Sequence, residues 1–340
     1  MQISSKLKRA CITALLLGLA MALCAGSAFA AKVIRIQSVY PEVAKGGVMV
    51  KDFAKRVEDY TKGAVKVKIY WPNQLVKAKE AYTAVSKGMV DALYSVSLYY
   101  GGIVPAMKAE WLAMGWDSPH DAYELFYKQG LLEYLRKANE KKDVYLLGVN
   151  FAASMGFLTN FEVTGLESFK GKKIRAMSAD APLVRDLGAS PVAMPTTDMY
   201  AAMQRGTIDG VLYPYFALST YKFTEVATTV VKPGIHTPAI TDITINLKMW
   251  KSLSPEMQKA VAKACEDTAL QSAKWSDKWD NDAFELAKKH NIKIVELSKA
   301  DRAKLRALNQ KNWKQTAKQS PELAGAVALM EKYLQSKKGK

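Results

Sequence analysis

Val65-Lys66-Val67-Lys68-Ile69, a helical run over residues 80–87, and Gly88-Met89-Val90-Asp91-Ala92-Leu93-Tyr94 decide the fold. The first five residues alternate apolar and basic with period two, the mark of a half-buried strand. Gly88 stops the helical run, and residues 90–94 read as a further strand. Upstream, Val33-Ile34-Arg35-Ile36 reads as a first strand. Residues 43–61 set Val50, Phe53, Ala54 and Val57 on one stripe, and Lys62-Gly63 ends that helix. The order β-α-β-α-β packs as a parallel sheet with helices on its faces.

The same grammar returns further on. Lys87-Gly88-Met89-Val90-Asp91 and Arg205-Gly206-Thr207-Ile208-Asp209 share one pattern: helix end, glycine, apolar residue, aspartate, strand. A helix over 121–140 and a strand over 144–150 lead out of the first unit. Strands over 172–176 and 208–212 and helices over 182–187 and 198–205 build a second. A strand over 241–247 follows. Ser254 then caps a helix with Pro255 at its first position. Unbroken to Lys289, that helix has about 35 residues and a length of ~50 Å, so it has to lie across both units. A strand over 292–297 and one more helix capped by Ser298 complete the chain.

The 340 residues carry 49 Lys+Arg against 32 Asp+Glu, a net charge of +17, and are 49% hydrophobic, which excludes a disordered chain. The start has three parts: basic Lys6, Lys8 and Arg9, an apolar run over 10–22, and Ala28-Phe29-Ala30. This reads as a secretory signal over residues 1–30, cleaved after Ala30. Its removal takes three positive charges and no negative ones, leaving about +14. Leu23 before Cys24 argues against the lipoprotein alternative. Export, and lysines spread along helices rather than in one block, argue against nucleic acid as a partner.

The usual chemical constellations are absent from the sequence. It has no GxxxxGK[ST], GxGxxG or GxSxG. Of the cysteines Cys11, Cys24 and Cys265, two fall in the leader, and His120, His236 and His290 have no metal-ligand spacing, so neither a metal nor a cofactor is expected. His120 reads as a helix-start residue, His236 as a surface-loop residue with lining a cleft as the alternative, and Cys265 as core. Tyr94, Tyr99-Tyr100 and Tyr213-Pro214-Tyr215-Phe216 follow strands, at the carboxyl ends where open α/β sheets bind ligands. Packing under helices is the other reading of them.

Residues 165–214 carry a specific order of motifs. It includes Lys170-Gly171-Lys172-Lys173-Ile174-Arg175, Leu187-Gly188-Ala189-Ser190-Pro191 and Tyr200-Ala201-Ala202-Met203-Gln204-Arg205-Gly206-Thr207-Ile208-Asp209-Gly210. With Asn73-Gln74-Leu75 and Leu253-Ser254-Pro255-Glu256-Met257-Gln258, this resembles the DctP-type periplasmic solute receptors of tripartite ATP-independent periplasmic (TRAP) transporters, over essentially the whole mature chain. The resemblance implies an α/β, two-lobed periplasmic-binding-protein fold with the long helix spanning both lobes. Lobe I is expected from residues 31–150 plus about 240–280, and lobe II from 151–239 plus about 281–340. It implies a small organic anion as ligand, TRAP permease membrane subunits as partners, a periplasmic location and no catalysis. A monomer is expected, with a dimer as the alternative.

The resemblance makes Arg175 the carboxylate clamp, and a guanidinium fork suits that role. The other expected substrate-binding positions are Tyr213, Thr196, Tyr40, Val39, Val96 and Met155. Several depart from the family pattern. Met155 stands where acid-binding members often carry a second Arg, Tyr213 where Asn is frequent, and Val39 and Val96 where sugar-acid receptors are polar. Leu212-Tyr213 replaces the Glu-Trp pair of oxo-acid receptors. These changes point to a less polar monocarboxylate or a sulfonate bound against tyrosine faces. The alternatives are an exported enzyme acting on a small acid and the same receptor serving a membrane kinase as a sensor.

Overall fold

The computed structural model describes residues 31–177 and 179–338. The expected signal peptide, residues 1–30, lies outside the described residues.

Two sheets form two lobes. The first runs β2 (Val65–Tyr70), β1 (Lys32–Ser38), β3 (Ala92–Ser95), β10 (Ile240–Asn246), β4 (Val144–Phe151), with β10 antiparallel to both its neighbours. The second runs β11 (Lys293–Glu296), β9 (Thr229–Lys232), β5 (Met155–Thr159), β8 (Gly210–Pro214), β6 (Lys173–Arg175), β7 (Ser190–Val192). In the second, β5 is antiparallel to β8 and β9. Strand β10 returns to the first sheet from the second, and the segment between β4 and β5 crosses the other way, so two strand connections join the lobes.

The repeated motif has one structural job in both lobes. Gly88 and Gly206 take φ of +71° and +66°, which glycine adopts without a side-chain clash. The turn then aims the aspartate at a neighbouring strand. Asp91 accepts the Arg35 backbone N–H of β1 at 2.8 Å, and Asp209 accepts the Lys173 N–H of β6 at 2.7 Å. Asp91 also holds the Arg35 guanidinium at 2.8 and 3.0 Å.

The long helix is continuous over Pro255–Lys289, 35 residues, with Ser254 Oγ accepting the Met257 N–H. Its Val261, Ala264 and Cys265 pack in a first-lobe core with Phe53 and Tyr94, while Ala283 and Ala287 pack in a second-lobe core with Met199 and Val230. Between these ends it grips the crossing segment after β4. Ser272 Oγ accepts the Phe151 N–H at 2.9 Å, Ser276 Oγ donates to the Ala152 carbonyl at 2.6 Å, and Asp280 accepts the Ser154 N–H at 3.0 Å.

Strands β5, β7 and β9 have no counterpart in the reading of the sequence, and three further features differ from it. The helix expected over 121–140 is broken into Pro119–Tyr123, a wider turn over Glu124–Lys128 and Leu131–Glu140, because Gly130 turns the chain at φ +87°. The single helix expected after Ser298 is two, Lys299–Ala317 and Pro321–Lys338, since proline cannot continue a helix and starts the next one well. The grouping of 281–340 with lobe II also fails at its end. Leu323, Ala326, Val327, Met330 and Leu334 share a buried cluster with Tyr82, Leu131 and Leu135 of the first lobe. Helix Lys299–Ala317 makes the passage, with Leu305 in a second-lobe cluster and Trp313 in that first-lobe one.

Candidate functional site

Arg175 closes the three-residue strand β6, paired with Val192 on one side and Val211 on the other. The short strand fixes its backbone while placing the side chain at the sheet's carboxyl end. Only 3% of the residue is exposed. Its Nε and Nη2 both donate to the Met194 carbonyl, at 3.3 and 3.2 Å, and Nη2 lies 3.4 Å from Met177 Sδ. Nη1 has no partner among the described residues. Burial pulls the guanidinium below its ordinary pKa, opposed by Tyr213, Asp180 and Tyr221. It stays charged, because arginine does not give up its proton in proteins. A buried cation held by a carbonyl rather than a carboxylate is half of an ion pair.

Aromatic rings surround it. The guanidinium carbon lies 5.4 Å from the centre of the Tyr213 ring, a cation–π arrangement. Tyr213 is half-buried on β8 and meets Phe216 and Tyr221 edge to face, at 6.1 and 5.7 Å. Across the cleft, Tyr40 leans edge to face on Tyr94 at 5.8 Å. Burial pushes the Tyr40 hydroxyl well up, with Tyr94, Tyr99, Asp242 and Tyr213 adding to it, so the two tyrosine walls feel each other.

The tyrosines singled out in the sequence thus divide. Tyr94, Tyr100 and Tyr215 are core residues, no more than 1% exposed, whereas Tyr99 is 43% exposed, and Tyr40, Tyr213 and Phe216 are half-buried. Val39 is half-buried and hydrogen bonds to Tyr94 through its backbone at 3.0 Å, and Val96 is buried just after β3. Thr196 opens a 3-10 turn two residues beyond the carbonyl that Arg175 holds. Met155 is buried at the start of β5. Tyr213 is the expected residue seen against the arginine.

Two clusters escaped the sequence reading. His236 is not a surface residue: it is 1% exposed, and its Nε2 lies 2.8 Å from Asp180 Oδ1. Trp111, from the turn Pro105–Trp111, sends its indole N–H toward the other Asp180 oxygen at 3.4 Å. The second cluster is a buried acid pair below the first-lobe wall. Glu110 and Asp242 are both 0% exposed, and none of their four carboxylate oxygens has a well-formed partner among the described residues. Burial pushes Asp242 up to about 7 and Glu110 well above the carboxylate range, with Asp242 adding to the latter. Neither cluster has a local motif. Each depends on residues that only the fold brings together.

Surface depressions lie elsewhere, two along the Lys299–Ala317 helix and one of about 400 Å³ where Lys45 faces Phe216 and Trp279. A guanidinium shut from solvent with an unmet donor is a stronger pointer to a ligand than an open groove. No group of three or more His, Cys, Asp or Glu suited to a metal ion occurs among the described residues.

Residues 38–320 match the model of DctP, bacterial extracellular solute-binding protein family 7. The chain belongs to this family. Relatives of this DctP-family protein include the C4-dicarboxylate-binding periplasmic protein of Rhodobacter capsulatus, 29% identical over 239 residues, covering 68% of this chain and 69% of that one. Another is a monocarboxylate 2-oxoacid-binding periplasmic protein of Nostoc, 25% identical over 273 residues, covering 78% and 73%. Among solved structures, a TRAP periplasmic solute-binding protein of Rhodobacter sphaeroides in an open, ligand-free form superimposes with a TM-score of 0.80. It is 24% identical, and the match covers 90% of this chain and 98% of that one. The DctP fold, two lobes and one long helix, is the fold described above. No helix among the described residues is long and apolar enough to cross a membrane.

Proposed function

We propose that this protein is a periplasmic receptor that binds a small organic acid through a single anionic group and delivers it to a TRAP permease. The observation that carries the proposal is Arg175, buried, charged and with no partner for Nη1 among the described residues. A ligand carboxylate or sulfonate completes the ion pair that the protein leaves open. Tyr213 and Tyr40 supply flat apolar faces for the remainder, with Val39, Val96, Met155 and Thr196 as further wall positions. With Met155 at the second-cation position, one anionic group suffices. Family membership supports the receptor role, and the Nostoc relative is named for monocarboxylates, whereas the Rhodobacter capsulatus relative is named for dicarboxylates.

Ligand binding stabilises the closed arrangement by its higher affinity for it. The test is a thermal-shift screen of protein refolded to strip bound solute. A monoanion at 100 times its dissociation constant adds ~2.7 kcal/mol of stability. Aromatic and short aliphatic monocarboxylates are expected to raise the melting temperature. A preference for succinate overturns the single-anion reading, and a preference for sialate overturns the apolar walls assigned to the rest of the ligand.

A further inference from the structure

His236 occupies the loop Pro233-Gly234-Ile235-His236-Thr237-Pro238, which is pressed onto the start of β5. The Met155 N–H donates to the His236 carbonyl at 2.8 Å, and the Ile235 N–H to the Met155 carbonyl at 2.6 Å. A side chain at position 234 would meet that Met155 carbonyl at 2.6 Å, so only glycine lets the loop approach. The imidazole is therefore carried on a fixed backbone next to the residue that stands in the second-cation position.

Its two nitrogens have different surroundings. Nε2 faces Asp180 Oδ1 at 2.8 Å, and both side chains are 1% exposed. Where the Asp180 carboxylate accepts, Nε2 carries the hydrogen, and in the neutral ring Nδ1 is then left as an acceptor. Nδ1 is buried and has no partner among the described residues. Trp111 lies tilted against the ring, 4.9 Å between centres, and its indole N–H reaches the second Asp180 oxygen at 3.4 Å, which braces both partners.

Asp180 is also tied to the arginine through Met177: the Asp180 N–H donates to the Met177 carbonyl at 2.9 Å, and Met177 Sδ lies 3.4 Å from Arg175 Nη2. The turn after β6 thus links two buried nitrogens without partners among the described residues, a donor at Arg175 Nη1 and, in the neutral ring, an acceptor at His236 Nδ1. Interiors seldom leave such atoms unmet unless something else meets them. The complement of a charged donor and a neutral acceptor is a molecule with an anionic oxygen and a hydrogen-bearing oxygen. We infer that His236, held by Asp180, is a specificity-determining residue that accepts a hydrogen bond from a hydroxyl of the bound acid, so the solute is a hydroxylated monocarboxylate. This rests on the anion-receptor reading of Arg175.

The test is calorimetric titration of the refolded mature chain with matched acids: benzoate against its 2-, 3- and 4-hydroxy derivatives, and propionate against lactate. At least one hydroxy acid is expected to bind roughly tenfold tighter than its parent, the effect of one buried hydrogen bond. His236→Phe should erase that difference and leave the parent acid's affinity within about threefold, which also shows that the variant folds. His236→Gln keeps an acceptor and should retain part of the preference. Without any variant, ¹⁵N-histidine spectra of the wild type should show the His236 Nδ1 signal moving with the preferred hydroxy acid and not with its parent. Equal binding of hydroxylated and parent acids, or a preference that survives in His236→Phe, overturns the inference alone. Failure of every acid to bind the wild type overturns the receptor reading and this inference with it.

Discussion

Replacing Arg175 by methionine separates binding from folding. The substitution keeps an unbranched side chain of similar reach and removes the charge. Two hydrogen bonds to the Met194 carbonyl are lost, at 3.2 and 3.3 Å, together with the contact to the Tyr213 ring. Two bonds to a single acceptor are worth about 1–2 kcal/mol net, and the ring contact ~0.5–2 kcal/mol. Against this stands relief from desolvating an unpaired cation, several kcal/mol on its own. The ligand-free variant should therefore be as stable as wild type or more stable by ~1–3 kcal/mol. Binding should move the other way. An anion facing a thioether instead of a guanidinium loses ~2–5 kcal/mol, about 30- to several-thousand-fold in affinity. Arg175→Lys, with the charge but not the fork, should fall between. Differential scanning calorimetry without ligand and isothermal titration with the best acid of the screen give the two numbers. Unchanged affinity in Arg175→Met would refute the clamp. A melting temperature well below wild type would show that the Met194 contact is what the residue is for.

Four further outcomes are expected. Asp242 has its carboxyl raised to about 7 by burial, so the folded state binds more protons than the unfolded one between about pH 4 and 7, and stability falls as pH rises through that window. The melting temperature should be higher at about pH 5.5, inside that window, than at about pH 8, above it, and Asp242→Asn should flatten the slope and stabilise the protein at the higher pH. Tyr213→Leu should cost aromatic acids about 2- to 30-fold in affinity by removing the ring over Arg175, measured by titration. Ser276→Ala leaves the Ala152 carbonyl without its 2.6 Å donor and should destabilise the protein by ~1–3 kcal/mol in denaturant unfolding. Intact-mass analysis of the periplasmic fraction should give a chain beginning at Ala31, and a lipid-modified Cys24 would contradict the secretory reading.

Local patterns carried most of the architecture. Period-two alternation at 65–69, the glycine–aspartate turns and the Ser254-Pro255 start are written in consecutive residues, and each element formed where its pattern lies. What the sequence withheld was pairing at a distance. His236 and Asp180 are 56 positions apart, and His236 sits in a Pro-Gly loop that has the composition of a surface turn. Glu110 and Asp242 come from a 3-10 turn and an interior strand, and nothing near either marks it as buried. The last helix was misplaced for a related reason. Its apolar residues declare that one face is covered and leave open which lobe covers it. For the site, Arg175 was legible through its resemblance, whereas its orphan nitrogen was visible only once Met194 and Tyr213 stood beside it.

The grip of the long helix on the crossing segment limits how this receptor can open. Ser272, Ser276 and Asp280 are spaced four residues apart, so the three anchors span ~12 Å of one helix face. They hold backbone groups of Phe151, Ala152 and Ser154 in the same order. Three successive attachments prevent that segment from sliding or peeling without breaking all of them. Strand and helix must then turn together, like a hinge pin welded to its leaf. The angular play between the lobes is left to the Lys299–Ala317 crossing and to flexing of the long helix beyond the anchors. Motion confined in this way is a swing about one axis rather than a loose separation. Each cycle would bring Trp111 back to the same carboxylate and the same imidazole.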